Sequence, residues 1–194
     1  MATLLLDSSN TSLSVGIESN GSLLGYTSYE AWQAQSEHMI PEIDALLKNY
    51  SLNRNDISGV VTAIGPGSYT GVRISLTIAK VIGLCLDVPI YPVSSLRVLK
   101  DFSNPSICLI NARSGRSYFG VYKGEEVLVE DCIKTNEEVL AYIKEHPEYS
   151  ICGNVSYLGF ENKDTNICLQ MVDLLKTLKP IDNALALKPV YLKD

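Results

Sequence analysis

The hydrophobic positions in the first half of the chain follow two periods. Near the N-terminus they alternate with polar residues, as at Leu13, Val15 and Ile17, which is typical of a half-buried strand. Further on they recur every three to four residues, as in an amphipathic helix. In order, the pattern predicts strands over 3–7, 12–17 and 22–30, a helix over 39–50, a strand over 60–64, a helix over 70–85, a strand over 88–91 and a helix over 94–102.

The same order begins again after Ser103-Asn104-Pro105, which has the composition of a linker. Here the pattern predicts strands over 106–112, 118–123 and 127–133, a helix from Thr135 to about His146, a strand over 150–153 and a helix over 166–178. Two successive β-β-β-α-β-α units predict an α/β protein with two similar lobes, each a mixed sheet with flanking helices. We place the N-terminal lobe at 1–103 and the smaller C-terminal lobe at 104–194.

A glycine-rich segment, residues 65–71, connects the strand over 60–64 to the helix that follows. Its glycines allow backbone angles that other residues avoid, and free N–H groups at a helix start can hold a phosphate. The segment lacks the Lys-Ser/Thr pair of a P-loop, so a tight turn without a ligand is the alternative. Asp7 ends the first strand, where its carboxylate could hold magnesium or simply cap a polar turn.

The helix over 70–85 is apolar almost all round, with one narrow polar stripe formed by Arg73, Thr77 and Lys80. Such a helix either lies inside the protein or uses a second apolar face against another chain. We favour the second reading and expect an interface together with the helix over 39–50. The expected interface residues are Met39, Ile43, Leu46, Leu47, Arg73, Leu76, Thr77, Ile78 and Lys80.

Composition narrows the classes of function. The chain has 194 residues, of which 46% are hydrophobic and 20% charged, so it can bury a good core. Its net charge of −6 argues against broad binding to nucleic acid. Five scattered cysteines without a Cys-x-x-Cys pair indicate reduced thiols, and two histidines make a zinc site improbable. With no signal-like or membrane-spanning stretch recognised, we expect a cytoplasmic protein without membrane contact.

The string Gly-Pro-Gly-Ser-Tyr-Thr-Gly-Val-Arg at 65–73 closely resembles the signature of the TsaB (YeaZ) family. These are bacterial tRNA threonylcarbamoyladenosine biosynthesis proteins of the actin, hexokinase and heat-shock ATPase superfamily. The resemblance extends to Leu5-Leu6-Asp7-Ser8-Ser9, to Asn111-Ala112-Arg113 and to Pro189-Val190-Tyr191-Leu192. It implies an actin-like, or ribonuclease H-like, fold in both lobes.

The resemblance also implies a non-catalytic role. The catalytic relative, the TsaD family, has a similar glycine loop followed by a Pro-Val and a metal-binding His-x-x-x-His pair. Here Pro92-Val93 is followed by Ser95 and Leu99 at about the positions of those histidines. Leucine cannot ligate a metal, so we expect neither a metal site nor peptidase activity, and we nominate no catalytic residue.

As a family member, the chain is expected to pair with a TsaD-like catalytic subunit and to act with a TsaE-like ATPase. It would contact tRNA only indirectly and could form a homodimer when its partner is absent. No intrinsic cofactor is expected, although ATP or ADP with Mg could lodge at a subunit junction. The residues that would make weak nucleotide or phosphate contacts are Asp7, Gly65, Gly67 and Ser68.

The alternative is a small ATPase or sugar-kinase-like enzyme that uses Asp7 and the glycine-rich segment. Tight, magnesium-dependent binding of ATP by the isolated protein would favour it. A metallopeptidase is the third possibility, which the absence of the histidine pair disfavours.

Overall fold

The computed structural model describes residues 1–192, which form two mixed sheets. The first sheet has the strand order β3-β2-β1-β4-β5, in which β1, β4 and β5 are parallel and β2 runs antiparallel to both of its neighbours, β1 and β3. The elements of this part are β1 (Ala2–Asp7), β2 (Ser12–Ser19), β3 (Ser22–Glu30), α1 (Gln35–Asn49), β4 (Ile57–Ala63), α2 (Tyr69–Leu86) and β5 (Ile90–Val93).

The second sheet repeats the first with one strand fewer. Its order is β8-β7-β6-β9, with β6 antiparallel to β7 and parallel to β9. The elements are β6 (Ser106–Arg113), β7 (Arg116–Lys123), β8 (Glu126–Thr135), α3 (Asn136–Glu145), β9 (Ser150–Gly153) and α4 (Ile167–Leu175). The predicted β-β-β-α-β-α order is present in both parts.

Alternation along β1 explains how the first sheet is covered on both faces. Leu4 and Leu6 face the core under α1 and α2, whereas Leu5 faces the opposite side, because successive side chains of a strand point to opposite faces. On that opposite side Leu5 belongs to a second core cluster with Cys168 and Met171 of α4. All of β1 is buried, so the strand forms the centre of a three-layer arrangement.

The chain after β9 therefore returns to the first sheet. α4 contacts β1, β2 and β3, and Leu187 is buried in the core beneath α1 and α2. A boundary at residue 104 separates the strands of the two sheets. It does not separate two independently packed lobes, because α4 and Leu187 follow that boundary in sequence but pack on the first sheet.

The predicted helix over 94–102 is wrong in extent, since only a 3₁₀ turn at Arg97–Leu99 forms. Ser94 does cap this turn, because its Oγ accepts hydrogen bonds from the N–H groups of Leu96 and Arg97. The turn stops because Lys100 is held elsewhere: its carbonyl accepts a hydrogen bond from Nε2 of Gln170 at 2.8 Å. The following chain then enters β6.

α2 departs from the expectation that no segment could span a membrane. Within residues 1–192 it is the one helix long and apolar enough to cross a bilayer by length and composition. Core helices of globular proteins meet the same two criteria, and here α2 packs on β4, β1 and β5.

Candidate functional site

The glycine-rich segment closes onto the turn between β1 and β2. The N–H of Ser68 donates to the carbonyl of Ser9 at 2.7 Å, and Oγ of Ser8 donates to the carbonyl of Gly71 at 2.8 Å. A Cβ atom added at Gly67 would lie 2.2 Å from the Ser9 carbonyl oxygen, and one at Gly71 would lie 1.9 Å from that of Ser8. The glycines are therefore needed for close approach between two backbone segments.

Other donors of the segment are also engaged within the protein. The N–H of Gly65 donates to Oγ of Ser95 at 3.0 Å, and that of Gly71 donates to Oγ of Ser68 at 3.2 Å, which caps α2. The segment as folded thus offers fewer free N–H groups than its sequence indicates. A nucleotide contact at Gly65, Gly67 or Ser68 stays a prediction.

Asp7 lies at the floor of a polar cleft between the lobes. The N–H of Ser9 donates to its Oδ1 at 2.8 Å, and burial raises the pKa of the Asp7 carboxyl although that hydrogen bond opposes the rise. The cleft has a volume of about 320 Å³. Its lining includes Ser9, Thr11 and Ser95 beside Asp7, and Asn154, Lys163 and Asp164 across from them.

The cleft has two carboxylates, Asp7 and Asp164, but part of the wall that would meet a phosphate is closed. Magnesium is usually held by one or two carboxylates together with substrate phosphates. Here the β1–β2 turn and the glycine-rich segment are in direct contact at Gly67 and Gly71, which closes that point to a phosphate. Beside this contact, Asn10 and Thr11 of the turn and Gly67 and Ser68 of the segment line a second cavity of about 550 Å³. Within residues 1–192, no three His, Cys, Asp or Glu side chains converge into a metal-binding group.

The two positions compared with the TsaD histidines have structural roles. Ser95 is buried and fixes the end of β4 through the N–H of Gly65. Leu99 lines the polar cleft. Neither presents a nitrogen ligand.

The surface of α1 and α2 corrects part of the predicted interface. Four of its residues belong to the core under the helices and cannot meet another chain: Met39 (0% exposed), Ile43 (7%), Leu46 (7%) and Leu76 (3%). Leu47 and Ile78 are partly buried against the same core, and Nζ of Lys80 donates to the carbonyl of Leu185 at 3.3 Å. Only Arg73 and Thr77 of the predicted set are well exposed.

Sequence reasoning missed the large apolar residues that are exposed instead. Ile40 of α1 and Tyr69, Val81 and Leu84 of α2 each expose 52–57% of their surface. Because both faces of α2 are apolar, periodicity could not decide which face the sheet covers. Ile40 follows the buried Met39 by one position and is exposed, because successive residues of a helix point about 100° apart.

A shallow apolar groove of about 560 Å³ lies between the two helices. It is lined by Ser36 and Ile40 from α1 and by Tyr69, Thr70, Arg73, Ile74, Thr77 and Ile78 from α2. A groove of this composition suits apolar side chains of another protein better than a charged small molecule.

Comparison with known proteins adds to this geometry. Residues 25–173 match the family described as "TsaD: tRNA N6-adenosine threonylcarbamoyltransferase". A Bacillus subtilis tRNA threonylcarbamoyladenosine biosynthesis protein TsaB is 34% identical over 146 residues, which are 73% of this chain and 63% of the relative. The TsaB protein of Buchnera aphidicola is 32% identical over 53% of this chain and 56% of its own. The matches thus span about three fifths of the length of these curated relatives.

Among solved structures, YeaZ from Pseudomonas aeruginosa superposes with a TM-score of 0.80. The two chains are 19% identical, and the superposition covers 98% of this chain and 99% of the other. At that identity the likeness concerns the fold alone, and it confirms the predicted fold class.

Proposed function

This chain belongs to the TsaB (YeaZ) family, and from that premise we propose that it is a non-catalytic subunit in the synthesis of threonylcarbamoyladenosine in tRNA. It would pair with a TsaD-like enzyme that transfers the threonylcarbamoyl group from its adenylate to the adenosine beside the anticodon. The observation that carries the proposal is the exposed apolar face of α1 and α2.

The outer face of α1 and α2 carries several large apolar side chains. Four large apolar side chains, Ile40, Tyr69, Val81 and Leu84, are more than half exposed on two adjacent helices. Ile40 and Tyr69 line one groove, and contiguous exposed apolar residues mark an interaction surface more often than singly exposed ones. The groove between α1 and α2 lies within it and would accept side chains of the partner.

The match to the TsaD description supports a related partner. A TsaD-like chain would carry a helix pair equivalent to α1 and α2, since the match spans both helices here. Two such pairs can pack face to face as four helices and bury roughly the 1,600 Å² of a stable complex. The same face could pair with a second copy, which makes a homodimer the form expected without the partner.

The proposed lack of catalysis draws on the cleft between the lobes. The N–H groups of Gly65, Ser68 and Gly71 are engaged within the protein. Ser95 and Leu99 hold the positions compared with metal-binding histidines. ATP hydrolysis would then come from a TsaE-like ATPase, and any ATP or ADP with Mg would lie at the junction of two subunits. The net charge of −6 favours indirect contact with tRNA in a cytoplasmic complex.

The test is light scattering after gel filtration, with this protein alone and mixed with the TsaD-like protein of the same organism. We expect a one-to-one complex to replace the self-associated form, and the transfer of threonylcarbamoyl to tRNA to require both chains. If no complex forms at tens of micromolar, with or without ATP and magnesium, the proposal is wrong. Tight magnesium-dependent ATP binding by the isolated chain would then favour the small-ATPase alternative.

A further inference from the structure

The C-terminal segment over residues 181–191, here called the strap, runs back along α2. Both ends of the strap are hydrogen-bonded to the first lobe. The N–H of Ile181 donates to the carbonyl of Ile90 at 2.9 Å, and the N–H of Val190 donates to the carbonyl of Ile64 at 2.8 Å. Between them Leu187 is buried in the core. The strap is thus a fixed part of the first lobe.

The strap also completes a three-residue cluster at the start of α2. Nε of Arg73 donates to Oη of Tyr191 at 2.7 Å, and the rings of Tyr69 and Tyr191 stack with centroids 5.3 Å apart. Cζ of Arg73 lies 4.0 Å from the centroid of the Tyr69 ring, a cation–π distance. All three residues are nevertheless exposed, so the cluster fixes an arginine side chain on the surface rather than burying it.

Charge distinguishes this surface from the rest of the protein. α2 carries Arg73 and Lys80 and no acidic residue, and the strap adds Lys188 against Asp182. α2 and the strap thus carry three cations against one anion, whereas α1, the other element of the surface, carries Glu37, Glu42 and Asp44 against Lys48. The apolar residues Leu185 and Val190 of the strap are exposed beside them. The part of the surface formed by α2 and the strap is therefore complementary to an apolar partner surface with acidic groups.

We propose that the strap is the third element of the partner surface beside α1 and α2, and that Arg73, held by Tyr69 and Tyr191, is its anchor for a carboxylate of the TsaD-like subunit. This inference rests on the proposed function, because the TsaD-like subunit is its single occupant. Tyrosine and arginine dominate the residues whose loss costs most at interfaces. An arginine fixed in advance loses less side-chain entropy on binding, and its planar fork can meet a carboxylate with two hydrogen bonds.

The test compares dissociation constants of single variants for the TsaD-like protein, with thermal unfolding as a check on folding. Tyr191→Phe removes the phenol oxygen that accepts from Arg73 but keeps the stacked ring, so we expect about threefold weaker binding. Tyr191→Ala and Arg73→Ala should each weaken binding about tenfold or more. Tyr26→Ala removes a comparably exposed tyrosine from β3 and should leave binding within about twofold.

Salt distinguishes the carboxylate from a purely apolar contact. Raising the sodium chloride concentration should weaken the wild-type complex more than the complex of Arg73→Ala, because only the former has the ion pair. Equal binding by wild type, Arg73→Ala and Tyr191→Ala would overturn the inference and leave the proposed function intact. Absence of any wild-type complex would overturn both. If Tyr191→Ala unfolds, Tyr191→Phe and Arg73→Lys decide, since both keep a side chain of similar size.

Discussion

Nε of Arg73 lies 2.7 Å from the phenol oxygen of Tyr191, which follows it by 118 positions in the sequence. This hydrogen bond joins the helix that begins after the glycine-rich segment to the C-terminal strap. Both segments belong to the strings that resemble the TsaB family signature, Gly65 to Arg73 and Pro189 to Leu192. The structure brings the ends of these two strings together on the outer surface.

The contact between the glycine-rich segment and the β1–β2 turn predicts a large effect of Gly71→Ala. Its Cβ would lie 1.9 Å from the Ser8 carbonyl oxygen, which is backbone and cannot turn aside. We expect about 3 kcal/mol loss in the free energy of unfolding, measured by urea denaturation. Gly59→Ala in β4 is the control, because its Cβ would first meet a Tyr91 ring atom at 3.3 Å and should cost less than about 1 kcal/mol. Equal effects of the two changes would contradict the proposed packing of the segment.

The burial of Asp7 predicts that removing its negative charge stabilises the folded protein. Burial raises the pKa of its carboxyl in the folded state, so folding favours the protonated form. Stability therefore falls as the pH rises from the unfolded pKa of about 4 through the raised folded one, and the full cost is present above it. Asp7→Asn keeps an acceptor for the N–H of Ser9 and should raise Tm at pH 7 by about 2–4 °C, roughly 1 kcal/mol.

The gain should shrink as the pH is lowered towards 4, where the wild-type carboxyl is increasingly protonated in both states. Asp44→Asn is the matched control, because Asp44 is exposed and pairs with the exposed Lys48 at 2.6 Å. We expect it to change Tm by less than about 1 °C. A Tm of Asp7→Asn equal to that of wild type at pH 7 would show that Asp7 carries no such cost.

Substitutions on the buried and on the exposed face of α2 should have different effects: the first on stability and the second on binding. Leu76→Ala removes a side chain that is 3% exposed and should cost about 3 kcal/mol of stability through the cavity it leaves. Val81→Glu alters an exposed position and should leave Tm unchanged but greatly weaken binding of the TsaD-like protein, because a buried unpaired carboxylate is costly. Thermal unfolding and light scattering on both variants test this. A folded Val81→Glu protein that binds normally would exclude this face from the interface.

The buried contacts of Lys100 predict that this side chain helps to hold the lobes together. Its side chain is 2% exposed, and Nζ donates to the carbonyl of Gly124 at 3.1 Å and lies 3.6 Å from carboxylate oxygens of Glu125 and Asp173. Lys100→Ala leaves both acids without this cation and should cost about 2–3 kcal/mol, at the lower end because Glu125 is half exposed. Urea denaturation measures it, and Lys176→Ala, which removes an exposed lysine paired with the same Asp173, should cost less than about 1 kcal/mol. Similar losses of unfolding free energy for both variants would show that Lys100 contributes no more than an exposed lysine.

Local pattern was enough to predict most of the fold. The alternation in β2 and the apolar runs of β1 and β4 are strong signals, and the repeated order gave both sheets. The end of the 3₁₀ turn at Arg97–Leu99 was not predictable, because it depends on Gln170, a residue 70 positions from Lys100. The same holds for α4, whose apolar face gives no indication which of two sheets it covers.

The candidate site was predictable only in part. The sequence pointed to the helix pair whose outer face we propose as the interface, but it chose Met39 and Leu76, which face the core, over the exposed Ile40 and Val81. Both choices fit the helical period, so burial by the sheet had to decide between them. The role of Tyr191 could not be read at all, since a contact across 118 positions leaves no periodic signal.

Hydroxyl-radical footprinting of the protein, alone and in the presence of the TsaD-like subunit, tests the central claim most directly because it reports the exposure of side chains. The account predicts that Tyr69, Val81, Leu84 and Tyr191 lose reactivity in the mixture, whereas Tyr26 on β3 keeps its own. Unchanged reactivity on α2 and the strap in a mixture that forms a complex, with protection at Tyr26 instead, would contradict the account.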